Sequence, residues 1–170
     1  TKIGEDAFNE CKALTTIKLP NSLKTLDKQA FRSCWNLKNV EYSNQLETIG
    51  EGAFQDNLFG FEKFYFKGSV KNVGSYAFAN GKLTCVHLKG DMTMGDYVFQ
   101  NDKSLKYVEF PATSSATQPL TKVTEGMFQN CTSLSFITLP TTVTEIKANA
   151  FDGCSSLKYV NILAASPATL

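Results

Sequence analysis

Phe128-Gln129-Asn130-Cys131-Thr132-Ser133-Leu134-Ser135-Phe136-Ile137-Thr138-Leu139-Pro140 begins a pattern that continues through Val143 and Ile146 to Ala150-Phe151. The same pattern opens the chain. There Phe8 is followed by Cys11, Leu14, Ile17, Leu19, Pro20, Leu23 and Leu26, and then by Ala30-Phe31. Between these copies the anchor pair recurs as Ala53-Phe54, Ala77-Phe78 and, with a larger first member, Val98-Phe99 and Met127-Phe128. The Phe-to-Phe steps are 23, 23, 24, 21, 29 and 23 residues, so half of them are identical. Self-similarity at such a period is the signature of a repeat architecture.

Two shorter periods lie inside each unit. Ile17-x-Leu19 and Ile137-x-Leu139 alternate apolar and polar, the pattern of a strand with one buried face. Proline at 20, 111 and 140 then ends the strand, because it has no N–H to give a ladder. Leu23-x-x-Leu26 and Val143-x-x-Ile146 turn the chain along the opposite side. Ala-Phe-x-x-Cys is expected to pack as a short helical turn with Phe inward. One such coil cannot bury its own apolar face, whereas stacked coils share a continuous core. After Phe54 one residue is inserted, and Phe61, Phe64 and Phe66 take the Leu, Ile and Leu places. After Phe78 the unit is shorter, and Leu83, Val86 and Leu88 take them. Six extra residues within 111–119 read as a loop projecting from the rim.

Ala-Phe-x-x-Cys-x-x-Leu-x-x-Ile-x-Leu-Pro resembles the unit of the BspA-type, or Treponema pallidum-type, leucine-rich repeats from Ile3 to about Ile162. The resemblance implies an α/β solenoid: a right-handed superhelix with a parallel concave sheet and helical turns on its convex side. It also implies a secreted or cell-surface protein, of the kind that often acts in adhesion. Residues 1–162 form the array, and 163–170 read as a linker or cover. The Asn place of the wider leucine-rich pattern holds Ser22, Ser69, Asp91 and Thr142, with Asn44 the only Asn. No unbroken asparagine ladder is expected there.

Composition narrows the function. Of 170 residues, 42% are hydrophobic, enough for a real core. Seventeen Lys and Arg against sixteen Asp and Glu leave a net charge of +1, which excludes an overall basic footprint for nucleic acid. No run of apolar residues is long enough for a membrane span. The chain opens Thr1-Lys2-Ile3-Gly4 and reads as an excerpt whose uncapped ends invite self-association.

Four of the five cysteines, Cys11, Cys34, Cys131 and Cys154, hold one template place, which Asn57, Gly81 and Asp102 fill elsewhere. They read as a ladder of small buried thiols, each near a backbone hydrogen-bond partner. Without a C-x-x-C pair, no zinc ligand spacing exists. Cys85 lies off the template and faces outward, as does His87, the only histidine. With Glu109 on the adjacent strand they make the most enzyme-like grouping in the chain. An open sheet face lacks the water-excluding pocket and oxyanion donors of a hydrolase, and no cofactor motif appears, so the protein reads as non-catalytic.

The outward places form two columns. The first runs Thr16, Asn39, Lys63, Cys85, Tyr107, Phe136, Tyr159, and the second Lys18, Glu41, Tyr65, His87, Glu109, Thr138, Asn161. Tyr65, His87, Tyr107, Glu109, Phe136 and Tyr159 are the candidate ligand-binding residues. Exposed aromatic rings give contact area with few rotors, although rings on adjacent strands also stabilise each other. The expected role is a binding module for a protein or glycan partner, with a structural spacer as the alternative.

Overall fold

The computed structural model describes residues 1–42, 44–58, 60, 62–66, 69–88, 92–110 and 120–162. Phe61, Asp91, the 111–119 loop and the 163–170 tail lie outside the described residues.

Each coil contributes strands to two parallel ladders. The first uses two-residue strands: β1 (Lys2–Ile3), β3 (Thr25–Leu26), β5 (Thr48–Ile49), β7 (Asn72–Val73), β9 (Thr93–Met94), β11 (Lys122–Val123) and β13 (Glu145–Ile146). The second uses the alternating segments: β2 (Thr16–Lys18), β4 (Asn39–Glu41), β6 (Lys63–Tyr65), β8 (Cys85–His87), β10 (Tyr107–Glu109), β12 (Phe136–Leu139) and β14 (Tyr159–Ile162). The solenoid and its parallel pairing are as the repeat predicts. The segment read as a simple return of the chain is itself a second ladder, β1-β3-β5-β7-β9, with β11-β13 beyond it. Cross-coil pairs such as Lys24–Glu47 and Lys122–Glu145 flank it, but exposed pairs of this kind contribute little.

The helical turns are a correction. Among the described residues there is no helix, and the reason is backbone conformation. Every anchor Phe is flanked by left-handed residues two before and two after, from Asp6 and Glu10 in the first coil to Asn149 and Gly153 in the last, with φ between 53° and 71°. A right-handed helix cannot run through such residues. At Gly126 the place requires glycine twice over, because a Cβ there would also lie 2.2 Å from the Tyr97 ring. The turn amides bond the next coil instead: Phe8, Phe54 and Phe128 donate to the carbonyls of Ala30, Ala77 and Ala150 at 2.8–2.9 Å. The turn side is therefore a third hydrogen-bonded ladder.

Inside it the anchor rings stack from Phe8 through Phe31, Phe54, Phe78, Phe99 and Phe128 to Phe151. Their centroids lie 5.0–5.8 Å apart and their planes within 20°. The cysteine place behaves as the small-residue reading requires. Cys34, Cys131 and Cys154 are buried free thiols whose Sγ atoms donate to the carbonyls of Phe8, Phe99 and Phe128 at 3.0–3.2 Å. Cys11 is a correction to the buried-thiol reading: it lies in the first coil and is exposed. Asn57 makes the equivalent bonds to Phe31 and Phe54 with its amide. Asp102 accepts from the Leu83 amide at 2.9 Å, and its other oxygen is buried without a partner. Burial pushes the Asp102 carboxyl up to about 7, against the pull of the Leu83 and Ser104 amides.

A polar chain does form, at a place the leucine-rich pattern does not mark. Asp56, Asn80, Asn101 and Asn130, each two residues after an anchor Phe, follow one another across coils at 2.7–2.9 Å, and Arg32, one residue after Phe31, contacts Asp56 at 3.2 Å. Asn130 thus spends its amide within this polar chain. At the Asn place itself, the Ser69 and Thr142 hydroxyls donate to Leu46 and Leu120.

Candidate functional site

The long-strand ladder presents its polar places to solvent, and this face carries the predicted residues. It is not one sheet. The hydrogen-bonded groups are β2-β4, β6-β8-β10 and β12-β14. Between β4 and β6 no Cα atom of one strand comes within 8 Å of the other, against roughly 4.7–4.9 Å for paired strands. Tyr42 and Phe64 stack at 5.4 Å, and Phe64 also meets Phe66 and Phe78 at 5.0 and 4.7 Å. Tyr42 and Phe64 both take inward places of the repeat and are buried beneath the separated strands. The Tyr42 hydroxyl donates to the Tyr65 carbonyl. A cleft of about 320 Å³ results, lined by Thr16, Lys38, Asn39, Glu41, Lys63 and Tyr65 over a floor of Val40, Tyr42 and Phe64. Sequence reasoning missed it, although the extra residue after Phe54 and the aromatic substitutions were its signal.

Register brings most of the predicted residues together. Lys63, Cys85 and Tyr107 align across β6, β8 and β10, and Tyr65, His87 and Glu109 align beside them. Tyr65 is 54% exposed yet stacks on His87 at 4.9 Å and 16°. Tyr107 meets the other side of His87 edge-on at 6.4 Å. Cys85 is half-buried, with Sγ 3.2 Å from His87 Nε2, and His87 Nδ1 lies 2.5 Å from Glu109 Oε2. The Cys85 thiol is raised by partial burial, a shift that Lys63 opposes and Glu109 reinforces.

The aromatic run crosses the second break. Although β10 and β12 are not in one ladder, the Tyr107 and Phe136 rings lie 5.7 Å apart. Phe136 then aligns with Tyr159 on β14, at 44% and 72% exposure. Beneath Phe136 the inward Ile137 and Leu139 are buried, so its exposed ring is not needed to close the core there, whereas on β14 Val160 and Ile162 are exposed along with Tyr159. Among the described residues, no group of His, Cys, Asp and Glu is arranged to hold a metal ion.

Known proteins place the chain. Residues 1–119 and 92–166 match the BspA type leucine rich repeat region, in six copies. A leucine-rich repeat protein from Bacteroides ovatus is 25% identical and superposes with a TM-score of 0.85 over 94% of this chain, which spans 40% of that protein's length. The T. pallidum leucine-rich repeat protein TpLRR is also 25% identical, with a TM-score of 0.83 over 93% of this chain and 72% of its own. A leucine rich cell surface protein from Faecalibacterium prausnitzii, at 17% identity and a TM-score of 0.55, covers 98% of this chain and 70% of its own and shares the fold. No curated protein matches the chain. With the 23-residue unit, the stacked Phe column and a family match across nearly every coil, the chain belongs to the BspA-type leucine-rich repeat family.

Proposed function

We propose that this chain is a non-catalytic binding module of a secreted or cell-surface protein, presenting the face of β6 to β14 to a protein or glycan partner. One observation carries the reading: Tyr65 and Phe136 stand open over the buried Phe64, Phe66, Ile137 and Leu139, with Tyr159 beside Phe136 on the next strand. Exposed aromatics are the residues through which binding surfaces gain most of their energy. The cell-surface setting draws on family membership and on the F. prausnitzii relative, which is described as a cell surface protein. The charged places mix Lys63, Glu41 and Glu109, so shape and ring contacts rather than a field of one sign select the partner.

The test is capture on an immobilised panel of extracellular-matrix proteins and glycans. The native chain is compared with a Tyr107→Ala, Phe136→Ala, Tyr159→Ala variant whose folding is checked by circular dichroism. Loss of capture by a folded variant supports the module. The second reading, a spacer array, rests on the turn-side ladder, which joins the coils without help from this face. A panel that captures neither chain supports the spacer.

A further inference from the structure

Cys85, His87 and Glu109 form a relay that a ligand-binding face does not need. Cys85 and His87 share one side of β8, and Glu109 lies across from His87 in register on β10. A carboxylate only accepts, so the proton of the 2.5 Å contact with Glu109 sits on His87 Nδ1. A neutral imidazole protonated there has its lone pair at Nε2, and the Cys85 thiol, 3.2 Å away, donates to it. Nucleophile, base and orienting carboxylate therefore stand in line. The imidazole is held in this pose by the Tyr65 ring stacked on it and the Tyr107 ring at its edge. From β6, Lys63 faces Cys85, and its charge works against the rise that partial burial and Glu109 impose on the thiol.

We propose that Cys85 is a nucleophilic thiol, deprotonated by His87 with Glu109 as the positioning residue, and that it forms a mixed disulfide with a disulfide-bearing ligand. Acyl transfer needs oxyanion donors and a closed pocket, whereas thiol–disulfide exchange needs a thiolate and a reachable disulfide. An open face supplies the access. In the step, the Cys85 proton passes to His87 Nε2 as Sγ attacks one sulfur of the ligand. A new S–S bond forms and the ligand's own S–S bond breaks. The departing thiolate then takes the proton from the imidazolium. The ligand disulfide is the oxidant, and one free thiol is released for each bond formed.

The probe is dithiobis-nitrobenzoate, an aromatic disulfide, mixed with the full chain while release of the nitrothiolate is followed by absorbance. Cys11, the exposed thiol far from any imidazole, is the internal reference. At pH 7 the Cys11→Ser chain, which keeps Cys85, should react at least about tenfold faster than the Cys85→Ser chain, the scale of a modest general base. His87→Ala in the Cys11→Ser background should remove that advantage and steepen the pH dependence toward that of a simple thiol. Added imidazole should restore part of the rate. Glu109→Gln should give an intermediate loss, with the melting temperature unchanged. Equal rates for Cys85 and Cys11, or a His87→Ala chain that melts normally and reacts as fast, would overturn the proposal.

Discussion

On the turn side of the coils the ring column runs unbroken from Phe8 to Phe151, whereas the long-strand ladder stops between β4 and β6 and again between β10 and β12. Both sides belong to the same seven coils and the same repeat. The difference lies in what each must satisfy. On the turn side, left-handed residues direct amides to the next coil, and any slip would leave buried N–H groups without acceptors. On the strand face the side chains point into water, and a lost rung is solvated. The coils therefore stay registered through their turns, and the face is free to open into a cleft or to carry exposed rings.

The largest expected effect comes from breaking the side that holds. Phe54 is buried between Phe31 and Phe78, so Phe54→Ala should cost roughly 3–5 kcal/mol in denaturant titration. Phe151 is only half-buried and stacks on Phe128 alone among the anchors, and Phe151→Ala should cost less. Equal losses would show that coils do not depend on their neighbours as a solenoid requires.

A smaller, pH-dependent effect should come from Asp102. Its carboxyl titrates near 7 in the folded chain and near 3.9 when unfolded. Between those values the folded chain holds a proton that the unfolded chain has released, so this group's contribution to stability falls as pH rises from about 4 to 7. Asp102→Asn removes the titration and supplies an amide like that of Asn57, which bonds Phe31 and Phe54. The variant should match the native chain near pH 4 and exceed it by roughly 1–4 kcal/mol at pH 8. An advantage that does not grow with pH would contradict the assignment.

The smallest effect should be on the open face. The Tyr107→Ala, Phe136→Ala, Tyr159→Ala variant should lose no more than about 1–2 kcal/mol, the worth of a few cross-strand pairs. A loss as large as that of Phe54→Ala would make those rings structural, which favours the spacer.

How much of this was legible follows the same division. The anchor Phe and the Ile-x-Leu strands repeat strictly, so the solenoid, the buried thiol places and the outward columns could be read directly. The helical turns could not, because the two left-handed places carry mixed residues. Gly52, Asn80, Asn101 and Gly126 signal that conformation, while Gln29, Tyr76 and Tyr97 conceal it. The second ladder was hidden by the brevity of its strands, two residues each, too short to show alternation. For Cys85, His87 and Glu109 the shared face followed from strand register. The line of hydrogen bonds depends on rotamers that rings on the neighbouring strands impose, and no spacing rule reports it.

Native-state hydrogen exchange, residue by residue, tests the central claim most directly. If the turns hold the array, the amides of Phe31, Phe54 and Phe78, each bonded to the following coil, should exchange only through global unfolding. The amides of Val40 and Tyr65, on the strands bordering the cleft, should open locally and exchange faster by at least about a hundredfold. Equal protection on the two sides, or faster exchange at the Phe column than beside the cleft, would contradict the account.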